Sequence, residues 1–360
     1  KKDLSLAEIA RFNVRSFNFK NAFIAKRYRR ISDYPNIFSH VLGYTSRAED
    51  VYKSMPEIPR SHWRDAELAY AHGLIKGRTG LEEIYEDHLR GSYGERVYEI
   101  NAMGKLVQSL SITKPLKGSD LHTNLDIEAQ KTAAKFLGNR RGAVVAIDLD
   151  SGGINVLYSS PTYSINQLSN GMNEDDFQIL INDPDKPFFN RALKGRYPPA
   201  STIKPAIGMY GVSNNIVNWD FEMKDPGFFT LPETGRVFRG WRKGGHGKVN
   251  MHKAFLVSSN TYFFSLAYQA DIEELSSYLK SLGFGQKVCL DCFDEDQALV
   301  PTPEWKYSIM NAGWVKGDTV NLGVGQGYLL ATPMQLANYA SLLAKKGAFN
   351  EPAIVIQEKV

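Results

Sequence analysis

An α+β chain of two domains is what this sequence predicts, on three observations. Its 360 residues exceed one typical hydrophobic core. Helical and strand periodicities mix over the first third, with no candidate nucleophile among them. From about residue 119 a capped helix, an apolar hairpin and a further set of helices follow in an order that reads as a new domain. The expected division is 1–118, a support or docking module, and 119–360, the part that carries the chemistry.

The elements follow in order. Ser5-Leu6-Ala7-Glu8 is a capping box, so a helix is expected to about Arg15. Alternation over 22–29 predicts a strand, and 40–44 is a short apolar segment ending in a turn. Helical stretches near 48–53 and 65–74 come next, then a helix opened by Gly77-Arg78-Thr79-Gly80 and closed by Gly91. Residues 96–101 and 121–125 alternate like strands around a polar connector. Asp126 caps a helix that Gly138 ends, and 142–148 and 154–158 form a hairpin across Ser151-Gly152-Gly153. A polar insertion fills 161–190.

Beyond the helix at 204, residues 225–247 are rich in Gly, Lys and Arg and read as a surface loop. Helices are expected over 251–257, 261–270 and 272–282, the last closed by Gly283. Gly323-Val324-Gly325-Gln326-Gly327 is a backbone-exposing loop. Thr332 caps a final helix with Pro333 at its first position and Gly347 past its end.

Composition narrows the function classes. Apolar residues make up 43% and charged residues 23%, the balance of a folded globular protein. A net charge of +4 does not suggest a nucleic-acid binder, and the basic run at 26–30 reads as a solvated face. No apolar stretch is long enough to cross a bilayer and no signal peptide opens the chain. The start at Lys1 is read as part of something longer. Cys289 and Cys292 leave three readings open: a local disulfide, two thiols, or a metal site for which the spacing selects no further ligand.

The chemistry centres on Arg196-Tyr197-Pro198-Pro199-Ala200-Ser201-Thr202-Ile203-Lys204-Pro205. The two prolines force an extended approach, Ser201 is a natural cap, and Pro205 is tolerated early in the new helix. Ser201 and Lys204 share one helical face at i and i+3. A free lysine, with a pKa of about 10.4, is no base at neutral pH, but burial pushes it toward the amine that can take the serine proton. The helix start adds a field that favours an oxyanion. Ser-x-x-Lys alone is weak, since Ser111-Ile112-Thr113-Lys114 has the same spacing in a polar connector.

Ser258-Ser259-Asn260 is the second polar group that stands out. Ser164-Ile165-Asn166 and Ser213-Asn214-Asn215 share its pattern and read as loops, whereas this one interrupts two apolar helices. Polar groups at a buried break are costly unless they hydrogen-bond something. A hydroxyl and a carboxamide there could relay a proton from Lys204 and hold a substrate amide.

Ser201-Thr202-Ile203-Lys204 followed by Ser258-Ser259-Asn260 is the order of penicillin-binding proteins and serine β-lactamases, which the chain resembles over nearly its whole length. The Gly77 to Glu82 and Leu89 to Gly91 stretches, Leu125-Asp126, Ala143-Val144-Val145, Asn190-Arg191-Ala192 and Thr332-Pro333-Met334-Gln335-Leu336 are similar to class B penicillin-binding proteins. Tyr197-Pro198-Pro199 and Gly245-His246-Gly247 resemble the elongation-specific branch of that class. The resemblance implies a pedestal module followed by a transpeptidase domain, an antiparallel sheet flanked by helices as in serine β-lactamases. It implies a periplasmic D,D-transpeptidase, held in the bacterial inner membrane by an N-terminal helix that this chain lacks, with no cofactor.

In that scheme Ser201 attacks the penultimate D-Ala carbonyl of a stem peptide, Lys204 is the base, and Ser258 and Asn260 shuttle protons and hold peptide. Ser259, Gly325, Gln326 and Gly327 are the implied substrate-binding residues. The implied partners are peptidoglycan stem peptides, β-lactams, a SEDS-family glycan polymerase of the RodA type and an MreC-type rod-shape scaffold. Rival readings are a serine β-lactamase, the septal relative, and a penicillin-binding sensor or scaffold without turnover.

Three departures stand out. The family's Lys-Thr-Gly or Lys-Ser-Gly motif is absent and the chain stops at Val360, so residues beyond it are expected to be missing. The pedestal is expected to be only its later portion. Some relatives carry a metal near the second motif on two Asp, a His and a Cys. Asp225 and His246 match, but Gly240 and Ser259 stand at the other two places, too few ligands for tetrahedral zinc; no metal is expected.

Overall fold

The computed structural model describes residues 4–18, 24, 29–47, 75–92, 95–101, 106–292 and 294–356. The strand expected over 22–29 falls almost wholly, and the helices near 48–53 and 65–74 wholly, outside the described residues.

The capping box forms as its residues dictate: the Ser5 hydroxyl accepts from the Glu8 N–H and the Glu8 carboxylate accepts from the Ser5 N–H, opening the Leu6–Arg15 helix. Further along, Thr45–Arg47 pairs antiparallel with Ile75–Gly77. Two short helices follow, Gly80–Ile84 and Glu86–Arg90, the second ended by Gly91 at φ 71°. Glu95–Ile100 pairs antiparallel with Leu106–Thr113. The stretch 121–125 is not a strand; it makes one antiparallel bridge, Thr123 to Val355.

The second half opens with the Ile127–Leu137 helix, capped by Asp126 through the Ala129 N–H. Gly142–Ile147 and Ile154–Ser160 then pair as the expected hairpin. The insertion is more ordered than its polarity suggests. Ser164 caps the helix Ile165–Asn170 where a loop was expected, and Asn173 caps a second, Glu174–Ile181. After the site helices come two elements with no clear sequence period, Pro303–Met310 and Lys316–Leu322, and then the long Pro333–Ala344 helix.

Two cores divide the work. A helical core gathers Ile203, Ile207, Tyr262, Phe263, Leu275 and Leu279 beneath the motif helices. The other joins Val41 and Leu81 of the N-terminal part to Ile154, Leu157, Leu193 and Ile354 of the hairpin side, so the two parts share apolar surface. Gln130, with no exposed surface, ties them further. Its Nε2 donates to the Ile37 and Leu157 carbonyls at 3.2 and 2.9 Å, while its Oε1 accepts the Leu157 N–H at 3.0 Å.

Cys289 and Cys292 form a disulfide, which closes the question their spacing left open. Between them, the Asp291 carboxylate accepts the Ile354 and Val355 N–H groups at 2.8 and 2.7 Å. Burial raises its pKa while those two bonds oppose the rise. Asp291→Ala leaves two buried amides without acceptors, and a loss of about 2 kcal/mol is expected at 1–3 kcal/mol per orphaned group with partial relaxation. Denaturant unfolding of the pair at one pH measures it.

Candidate active site

The nucleophile turn is held from two sides before it begins. Tyr197 exchanges backbone hydrogen bonds with Ala331 at 2.9 and 2.8 Å, and Arg196 forks onto Asp296 at 2.8 Å through both nitrogens. Ala200, at φ 51°, is left-handed, a conformation that a non-glycine residue holds only where its surroundings impose it. Ala200–Ile203 then forms a 3₁₀ turn that runs into the Lys204–Ser213 helix, with Pro205 at its start. Ser201 is therefore no cap: it lies inside the turn, exposed, with its hydroxyl free to face the second motif.

Lys204 is 2% exposed. Its Nζ donates to the Ser258 carbonyl and the Ser258 hydroxyl at 2.9 Å each and to Asn260 Oδ1 at 2.7 Å. Those three acceptors match the three hydrogens of an ammonium. The Phe263 ring, 5.4 Å below, also favours the cation. Burial works against them and pushes the lysine pKa down to about 8.

Ser201 does not meet the lysine directly, as i+3 spacing had suggested. Its Oγ accepts from Ser258 Oγ at 3.2 Å, and Ser258 alone bridges it to Lys204 among these hydrogen bonds. The resting chain thus runs Lys204 to Ser258 to Ser201. Once the lysine becomes an amine the two hydroxyl links can reverse, Ser201 donating to Ser258 and Ser258 to Lys204, and the serine proton has a path out.

The second motif sits on a turn between helices Met251–Leu256 and Asn260–Gln269. Ser258 is left-handed at φ 50°. Ser259, read from resemblance as a substrate contact, is fully buried and faces away from the cleft. Its Oγ donates to Asp225 Oδ2 at 2.7 Å and accepts the Tyr262 N–H at 3.3 Å, capping the helix that Asn260 opens.

Asp225 belongs to no loop. Glu222–Asp225 pairs with Gly247–Asn250, and Phe228–Thr230 with Val237–Arg239, where a surface loop was expected. Strands of three or four residues set among glycines and charges leave no period to read. The Asp225 carboxylate also accepts from His246 Nδ1 at 2.8 Å and the Gly227 N–H at 2.7 Å. Burial raises its pKa, but the Ser259 and His246 bonds outweigh that and hold it below the usual carboxylate range.

Of the four positions considered for a metal, Asp225 and His246 are brought together. The Ser259 hydroxyl is committed to Asp225, and Gly240 offers no side chain. Among the described residues the one metal-like cluster is Cys289, Asp291 and Cys292, whose sulfurs are bonded to each other.

The glycine loop supports the nucleophile more than it lines the cleft. Gly325 is buried at φ 66°, its carbonyl accepts the Ala200 N–H at 2.9 Å, and a Cβ on it would lie 2.2 Å from the Ala200 carbonyl oxygen. Gln326 and Gly327 are exposed beside it. Trp241, which the sequence reading passed over, donates its indole N–H to the Val257 and Ser258 carbonyls at 3.2 Å while 65% exposed. A lone tryptophan in a glycine-rich stretch was its only signal.

Residues 142–360 match the family described as penicillin binding protein transpeptidase domain, and residues 1–123 match the penicillin-binding protein dimerisation domain. The chain is 38% identical to the peptidoglycan D,D-transpeptidase MrdA of Acinetobacter baumannii over 355 residues, 99% of this chain and 52% of that protein. It spans about half the length of the curated relatives it matches. Among solved structures it is similar to the complex of penicillin-binding protein PBP2 with MreC from Helicobacter pylori. There the TM-score is 0.86 at 30% identity, covering 100% of this chain and 64% of that one. A peptidoglycan synthase complex that coordinates polymerization and crosslinking is similar at TM-score 0.78 and 25% identity, over 99% of this chain and 62% of that one.

Proposed function

The chain belongs to the class B penicillin-binding proteins, and from that premise we propose that it is the elongation-specific peptidoglycan D,D-transpeptidase, acting through an acyl-serine. The observation that carries the reading is the unbroken chain Ser201–Ser258–Lys204–Asn260 at 2.7 to 3.2 Å. We place the boundary of the supporting domain near residue 118.

Ser201 Oγ attacks the carbonyl carbon of the penultimate D-Ala, and its proton passes through Ser258 to the Lys204 amine. The Ser201 N–H stabilises the oxyanion. Collapse breaks the amide bond, and the departing D-Ala nitrogen takes the proton back. The amine of a neighbouring stem then attacks the ester, its proton passing by way of Lys204 and Ser258 to the departing Ser201 oxygen, which forms the cross-link and frees the serine. A β-lactam acylates the same oxygen. The peptide lies along Asn260 and the wall formed by Gln326 and Gly327.

The catalytic domain works in the periplasm, anchored to the inner membrane. The Cys289–Cys292 disulfide supports an oxidising compartment; no helix among the described residues is long and apolar enough to cross a membrane. An MreC-type scaffold and a SEDS-family polymerase are the proposed partners, supported by the likeness to solved complexes.

The test is intact mass before and after benzylpenicillin on the full-length protein. A gain of one whole penicillin, absent in Ser201→Ala and persisting for many minutes, is expected. Rapid loss of the adduct would indicate a β-lactamase, and no adduct would leave a scaffold.

A further inference from the structure

We propose that Asp225 is a positioning residue for this site, fixing Ser258 and Asn260 on Lys204 through hydrogen bonds. The inference rests on the transpeptidase reading and names a residue outside its motifs. Asp225 is 2% exposed, and among the described residues its ion-pair partner is His246. A buried carboxylate is costly unless its bonds serve something.

Two arms leave it, and both end on the same turn. The first is Ser259, whose hydroxyl is bound at 2.7 Å and whose backbone joins Ser258 to Asn260 directly. The second is His246, whose ring packs at 5.2 Å against Trp241. Trp241 in turn donates to the Ser258 carbonyl, the atom that Lys204 also binds. The antiparallel register of Asp225 with Gly247 sets His246 beside Asp225, and the His246 N–H donates to the Asp225 carbonyl at 3.2 Å.

What the arms hold is a strained turn. Ser258 at φ 50° would relax toward commoner backbone angles if released. A displacement of about 1 Å there would lengthen all three contacts of the lysine, and errors of that size cost on the order of a hundredfold in rate. Supporting residues one shell out commonly contribute about 10- to 100-fold.

The experiment measures benzylpenicillin acylation of the full-length protein over a range of drug concentrations, separating the binding constant from the acylation rate constant. Asp225→Asn and Ser259→Ala are each expected to lower the rate constant about 10- to 100-fold, with binding changed less than about threefold. Ser259→Thr, which keeps the hydroxyl, restores most of the rate. The double variant is no slower than the worse single, because both act on one unit. Thermal unfolding and active-site titration restrict the comparison to folded protein, and Ser259→Ala, losing one oxygen, covers the case in which Asp225→Asn fails to fold. A normal rate constant in folded Ser259→Ala would overturn the inference alone. Stoichiometric zinc in protein purified without chelator, lost with Asp225→Asn, would overturn it too. Absence of acylation in the unaltered protein would overturn the transpeptidase reading and this inference together.

Discussion

Lys204→Met is expected to slow acylation by benzylpenicillin about a thousandfold, within the 10²- to 10⁴-fold range for loss of a positioned base. The pH dependence of the unaltered protein shows why. With the lysine pKa pushed to about 8 by burial, about a tenth of the molecules carry the amine at pH 7. Acylation should therefore climb about tenfold per pH unit below 8 and level off above it, while the methionine variant stays flat. Stability also rises with pH, but over a higher window. The folded pKa lies below the ordinary value of 10.5, so the folded state binds fewer protons than the unfolded chain between about 8 and 10.5. This group's contribution to stability thus rises with pH across that window and is unfavourable below it. Lys204→Met should unfold no earlier than the parent at pH 7, and any advantage should shrink by pH 10. A variant that is both slow and markedly unstable would contradict this account of the lysine.

Ser258→Ala carries the second large effect, about a hundredfold or more on acylation. Its hydroxyl is the bridge between Ser201 and Lys204, since Ser201 Oγ meets Ser258 Oγ at 3.2 Å and Lys204 reaches that same oxygen at 2.9 Å. Without it the amine has no route to the serine proton until water or substrate fills the gap. The decisive comparison is the double variant. If the proton passes through Ser258, Lys204→Met with Ser258→Ala should acylate about as slowly as Lys204→Met alone. Rates that multiply would mean that the lysine takes the proton directly from Ser201.

The parts of the molecule that the sequence made legible are those with local physics. Capped helices at Asp126 and Thr332 and the hairpin around Ser151-Gly152-Gly153 each depend on residues within one turn or one strand pair. Long-range choices were hidden. Nothing near Ser259 announces that its hydroxyl will turn inward to a carboxylate 34 residues away. Nor does Gly325 reveal from its neighbours that it must press on Ala200. The β-pairs from Glu222 to Asn250 are too short to show alternation, and the stretch 121–125 alternates without finding a strand to pair with beyond Val355.

Gln130 places one side-chain amide against Leu157 as a neighbouring strand would place one peptide unit, donor to carbonyl and acceptor to N–H. On its other side Leu157 already pairs with Val145. The outer side of the hairpin is therefore completed at its midpoint by a side chain, which occupies both backbone groups of Leu157. The strand is buried along nearly its whole length, so these two groups would otherwise be costly orphans away from water. A single glutamine here both satisfies the hairpin's outer backbone groups and fastens the N-terminal part through Ile37.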